Sequence, residues 1–229
     1  MDPIPSAYAQ ISIQVSLSGY SFKLTGSGEP FRSAWQGAEQ VFSTPEFKHR
    51  YQRVELSLLT PKVALVPEAF LQPASARNAL AEVCALRDTD YVETVPVPSQ
   101  GAVLAFSNSL DESLSKVLSQ LVLPASGEPV RVLPELYFLL QELDAIDEYN
   151  KLVASWRDGW LHLVIAQGNH LALANVFQAP DFTTAQYYLF LALKRLQLNP
   201  EVSTVHFRTP LEPEEEMSLY RYFKSVVQL

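Results

Sequence analysis

The chain is 229 residues long, 48% hydrophobic and 18% charged, with a formal net charge of −8. That balance excludes a disordered chain and predicts a globular protein of one large domain or two small lobes. The acidic charge repels phosphate backbones, so nucleic acid is not an expected partner. The lone cysteine, Cys84, excludes an intrachain disulfide and fits a cytoplasmic protein.

Residues 1–9 hold two prolines and no periodic pattern, and read as a flexible tail. Met1-Asp2-Pro3-Ile4-Pro5 offers neither a cation nor an apolar run, so no signal peptide is expected. Ile11, Ile13, Val15 and Leu17 then alternate with polar residues, the period of a half-buried strand. Ser18-Gly19 turns the chain, and 20–25 return it as a hairpin. A weak helix is predicted at 34–42. Strands are expected at 54–59 and 62–66, a helix at 74–86, strands at 91–97 and 102–107, and helices at 110–121 and 136–143. The second half is clearer. Strands at 151–156, 160–166 and 171–177 are joined by Asp158-Gly159 and Gly168-Asn169, both strong two-residue turns. Asp181 caps a helix over 182–198, Asn199-Pro200 stops it, 202–207 forms a strand, and Pro213 opens a last helix. The expected organisation is a lobe over 10–150 and a second over 151–229, each opening with a β-hairpin, in a mixed α/β fold.

This element order resembles the actin-like ATPase fold of actin, sugar kinases, chaperone ATPase domains and actin-like pilus-assembly proteins. More specifically, the chain is similar to an uncharacterised bacterial family assigned that fold. The resembling segments are Ile13-Gln14-Val15-Ser16-Leu17-Ser18-Gly19-Tyr20-Ser21-Phe22 and the stretch from Asn175-Val176-Phe177 through Tyr187-Tyr188-Leu189 to Leu198-Asn199-Pro200. The resemblance implies a fold and no established activity, and fold alone does not carry function.

An ATPase of this fold needs an Asp-x-Gly at each of two hairpins and a glycine pair after a late strand. Carboxylates orient the metal or its waters, and bare backbone lets N–H groups approach phosphate and nucleoside. Here the first hairpin reads Leu17-Ser18-Gly19, with leucine in the acid position. The second reads Asp158-Gly159-Trp160. The late strand runs into Arg208-Thr209-Pro210, and no glycine follows Gly168. Ser18, Gly19, Asp158 and Gly159 are therefore only weak candidates for contacting a nucleotide, and hairpin turns explain them without one.

No catalytic residue, metal site or cofactor is assigned. Cys84 sits among apolar neighbours and reads as a packed thiol. The four histidines lack metal-ligand spacing, although His162 and His170 could meet across the Gly168 hairpin. Asp88-Thr89-Asp90 could hold a divalent ion, but aspartates at such a junction read more simply as a turn. Phe47-Lys48-His49-Arg50-Tyr51-Gln52-Arg53 interleaves cations with aromatics. A basic helix end is favoured over a nucleic-acid contact. The 182–198 helix is apolar nearly all round, from burial on two sides or from a partner surface formed by Tyr187, Tyr188, Phe190 and Leu191. Its seven-residue apolar run is far short of a membrane span. The sequence reads as a non-catalytic actin-like protein that binds another protein or itself. The alternative is a divergent nucleotide-binding protein or small-molecule kinase of the same superfamily.

Overall fold

The computed structural model describes residues 8–70, 75–108 and 114–229. Most of the expected tail, Ala74 and residues 110–113 lie outside these ranges. Tyr8 and Ala9, expected in the tail, already belong to the first strand.

Two compact units emerge: Met1–Leu58 with Asn108–Leu133, and Leu59–Ser107 with Pro134–Leu229. This partition differs from a boundary at 150. Residues 59–107 form an inserted module grouped with the C-terminal sheet, to which His162 Nε2 ties them by donating to the Thr60 carbonyl at 3.0 Å.

The first unit is built on β1 (Tyr8–Val15), β2 (Gly19–Gly26), β3 (Phe31–Arg32), β4 (Gln36–Gly37) and β5 (Arg53–Leu58). β1 pairs antiparallel with β2, Val15 opposite Tyr20, and parallel with β5, Ile13 opposite Leu56. The alternation read from the sequence puts Ile11, Ile13 and Val15 into a core with Tyr20, Phe22, Leu56 and Leu58. The helix expected at 34–42 does not form. Gln36 and Gly37 pair with Tyr20 and Gly19 instead, and only a single 3-10 turn, Ala38–Gln40, follows. The edge of β2 offers backbone partners, and a short, weakly amphipathic helix gains too little packing to compete with that pairing. Phe47 and Tyr51 are buried in the same core, while Lys48, Arg50 and Arg53 face outward. The interleaved pattern is thus a core contribution from an irregular segment, and the aromatic faces that would stack on bases are already occupied. Within the described residues, the helix expected at 110–121 is α2 below (Leu114–Leu121), which adds Leu118 to this core.

The second unit contains two sheets. β6 (Val63–Pro67), β7 (Val92–Val97) and β8 (Ala102–Ser107) form an antiparallel sheet in the order β6-β8-β7. Its helix, α1 (Ala76–Ala81), is much shorter than the expected 74–86. Asp88-Thr89-Asp90 is a turn, as expected, and Asp90 staples it. Its buried carboxylate accepts from Lys62 Nζ at 2.5 Å, Arg87 N–H at 2.6 Å and Ser107 Oγ at 2.9 Å. Burial opposes its charge, but these donors prevail and hold its pKa below the ordinary value of 3.8. Cys84 packs against the α1 core, its thiol donating to the Leu80 carbonyl, and burial pushes its pKa up.

With α2 (Leu114–Leu121) and β9 (Val132–Pro134) preceding it, α3 (Glu135–Glu142) leads into the larger sheet. β10 (Asn150–Arg157), β11 (Trp160–Gln167) and β12 (His170–Gln178) are the three consecutive strands read from the sequence, paired antiparallel. After α4 (Phe182–Arg195), β13 (Thr204–Phe207) pairs parallel with β10. After α5 (Pro213–Tyr220), β14 (Ser225–Gln228) pairs parallel with β13. The order is β12-β11-β10-β13-β14. Leu152, Ala154, Leu161, Leu163, Ile165, Val205 and Phe207 face α4 and α5. Alternation turns Ser155, His162 and Arg208 to the other face, where Ser155 and Arg208 meet Glu135 of α3.

Candidate functional site

The hairpin and late-strand positions singled out in the sequence make hydrogen bonds within the chain. In the first hairpin, Ser16 N–H donates to the Gly19 carbonyl at 2.9 Å, Ser18 N–H donates to Ser16 Oγ at 3.3 Å, and Trp35 Nε1 donates to Ser18 Oγ at 3.3 Å. Gly19 is a glycine for a local reason. A Cβ there would stand 1.9 Å from the Gln36 carbonyl oxygen of β4. The backbone at Gly19 is covered by a neighbouring strand. Leu17, at the acid position, is 70% exposed and offers no ligand atom.

In the second unit, Asp158 and Gly159 both take positive φ, 51° and 77°. That is the geometry of a two-residue hairpin turn with left-handed central residues. The Gly159 carbonyl accepts from Ala179 N–H at 2.7 Å, and Trp156 Nε1 donates to the Ala179 carbonyl at 2.8 Å. The turn thereby anchors the segment leading into α4. Asp158 and Gly159 lie in a different unit from Ser18 and Gly19.

After β13, where glycines would be needed, Arg208 is 9% exposed. Its Nη1 donates to Glu135 Oε2 at 2.8 Å, its Nε lies 3.4 Å from Glu142 Oε1, and its guanidinium carbon sits 4.9 Å from the centre of the Phe138 ring. Glu135, fully buried, also accepts from Ser155 Oγ at 2.5 Å. Thr209 Oγ1 accepts from Trp156 N–H at 2.9 Å, and the Pro210 carbonyl accepts from Arg157 at 3.0 Å. The segment is an ion-paired, hydrogen-bonded clasp between α3 and the sheet. Sequence reasoning missed it, because Glu135 and Arg208 are 73 residues apart and no local pattern joins them.

His162 stands opposite Ser155 in the ladder and is fully buried. The Thr60 carbonyl can only accept, so Nε2 carries the proton. Burial outweighs the attraction of Glu135 and lowers its pKa from 6.5. His162 does not meet His170: the register sets His162 against Val176 and His170 against Gln167. A folded state that refuses a proton the unfolded chain accepts loses stability as pH falls. Below pH 6.5 the chain should therefore lose about 1.4 kcal/mol per pH unit at this residue, until the lower folded-state pKa is reached. Urea unfolding at stepped pH checks this, and His162→Gln should flatten the slope just below pH 6.5.

Of Tyr187, Tyr188, Phe190 and Leu191, Tyr187 and Tyr188 meet edge to face at 5.4 Å, and Phe190 turns away from them. Tyr187 is 61% exposed. Phe190 turns toward Tyr222 and Phe223, with ring centroids at 5.0 and 5.7 Å. Tyr188 stacks on Phe177 of β12 at 4.9 Å. Tyr188 and Leu191 line a groove of about 410 Å³ between β12 and α4, together with Leu173, Phe177 and Arg195. The groove had no sequence signal beyond the all-round apolarity of the helix.

Among the described residues, no group of three or more His, Cys, Asp or Glu side chains is placed to hold a metal ion. None of the described helices is long and apolar enough to cross a membrane. The chain has the actin-like ATPase fold. It is similar to a Bacteroides thetaiotaomicron protein of actin-like ATPase fold and unknown function, with TM-score 0.68 and 17% identity over 98% of this chain and 91% of that one. It is also similar to a chain of a PilM–PilN type IV pilus biogenesis complex, with TM-score 0.53 and 14% identity over 97% and 88%. Identities this low show the fold alone. No curated protein matches. The model of the family described as "Protein of unknown function (DUF3822)" matches residues 6–226, and the chain belongs to that family.

Proposed function

We propose that this chain is a non-catalytic actin-like protein, working in the cytoplasm as an interaction or scaffold module whose nucleotide site is degenerate. The observation that carries this reading is the Arg208 clasp. Where the fold's ATPases need open backbone, a buried arginine is held by Glu135 and stacked on Phe138. The covered Gly19 and the exposed Leu17 support it independently. Likeness of fold to a chain from the PilM–PilN complex supports protein binding as the retained role.

A ligand specific for the native state must raise its stability. Millimolar ATP with Mg²⁺ is therefore expected to leave the unfolding temperature unchanged. A saturable rise would overturn the reading and favour a divergent nucleotide-binding protein or small-molecule kinase.

A further inference from the structure

We propose that the groove between α4 and β12 receives an extended protein segment, which adds a strand to the free edge of β12 and presents a carboxylate to Arg195. The proposal rests on the reading of this chain as a protein-binding module and names the chemistry of its partner.

The first observation concerns the sheet edges. β12 pairs with β11 and, among the described residues, with no strand on its other side. Edge strands are normally kept short or blunted with proline or charge, because their open N–H and C=O groups will pair with any passing strand. The other edges of this protein follow that rule. β3 has two residues, β9 three with Pro134, and β14 four. β6 ends in Pro67, and β7 carries Glu93 and Pro96. β12 breaks the rule. It runs nine residues, His-Leu-Ala-Leu-Ala-Asn-Val-Phe-Gln, without proline, acid, lysine or arginine. Its register shift lies near its start, between Ile165 and Ala166 on the partner strand, and leaves Leu173–Gln178 regular.

The second observation is where the groove lies. Leu173, Asn175 and Phe177 point to its side of β12, two residues apart, and Tyr188, Leu191, Ala192, Arg195 and Leu196 form its other wall. A strand added beside β12 would lie about 4.8 Å away, with alternate side chains directed over that wall. The groove has the position of a missing sixth strand, and its apolar lining asks for an apolar residue at every second place.

Charge selects the occupant. Among the described residues, Arg195 is the only charged residue lining the groove, no acid lines it, and exposed Lys194 adjoins Arg195 in sequence. On a chain of net charge −8 this is a local inversion of sign. A second copy pairing edge to edge through its own β12 would bring the same two cations, with no acid of the groove lining to oppose them. A foreign strand with Asp or Glu near one end satisfies both the edge and the charge.

The test is to select random 12-residue peptides displayed on phage against the immobilised full chain, and to synthesise the enriched sequences. Enriched peptides should alternate apolar residues and carry an acid. Their Kd should rise about tenfold or more in Arg195→Glu, the loss of one charge-assisted contact, and Tyr222→Ala should leave it unchanged. Amide exchange should slow within residues 173–178 when peptide binds. Peptides without an acid, binding indifferent to Arg195→Glu, or no enrichment would overturn the proposal. Protection of 173–178 that grows with protein concentration alone would give the groove to a second copy and overturn it too. Peptides bound on another face would sink only the groove assignment. An ATP-dependent rise in unfolding temperature would instead sink the underlying reading.

Discussion

Arg208→Ala is expected to destabilise the second unit by about 3–5 kcal/mol, because it leaves the fully buried Glu135 carboxylate without its cation. A hydroxyl such as Ser155 cannot replace a cation beside a charge withdrawn from water, and the cavity over Phe138 adds to the loss. The cost belongs to the broken pair and not to the absence of an ion pair as such. Arg208→Met combined with Glu135→Leu should therefore recover most of the stability, since well-packed apolar replacements of a buried pair are often neutral. Urea unfolding of the three variants separates these outcomes. Arg208→Gly installs the residue type that a nucleotide-binding member of the fold would need, yet it should lose as much stability as Arg208→Ala and gain no response to ATP. The clasp is part of what holds α3 to the sheet, so opening the backbone there removes a support before it creates a site.

The parts of this fold legible in the sequence are those whose signal is local. The alternation of Ile11, Ile13 and Val15, the Asp158-Gly159 turn and the Asp181 cap, whose Oδ1 accepts from Thr184 N–H at 2.7 Å, each act within a few residues. What escaped notice depends on distant partners. β14 is four residues, Ser-Val-Val-Gln, for which the sequence offered no expectation, and it becomes a strand by pairing with β13. The same cause turned 34–42 from an expected helix into a strand and a turn, since β2 offered its edge. The candidate positions were half legible. The absence of glycine after Gly168 and the leucine at position 17 could be counted, but not the packing at these positions: the Gln36 carbonyl over Gly19 and Glu135 against Arg208. Composition shows which residue types stand there. Only packing shows what they touch.

The second large effect distinguishes the two sides of α4. Leu189 is 1% exposed within the core formed with Leu161, Leu163, Phe207 and Leu219, and Leu189→Ala is expected to cost about 2–5 kcal/mol through lost contacts and a residual cavity. Leu191, two residues on, faces the groove and is only half-buried, so Leu191→Ala should cost less than about 1 kcal/mol. Denaturant midpoints measured side by side give both values. The contrast matters because a helix that is apolar nearly all round has two physical explanations, burial on both flanks or a flank kept for a partner. Equal losses would mean that β12 and α4 close over Leu191 in solution and that the apolar excess is ordinary core. A large loss at Leu189 with little at Leu191 would mean that the second apolar face contributes almost nothing to folding. That outcome would support the proposed docking of a partner strand, since an apolar face that folding does not use, beside an edge without the proline or short length of the others, calls for a use outside the core.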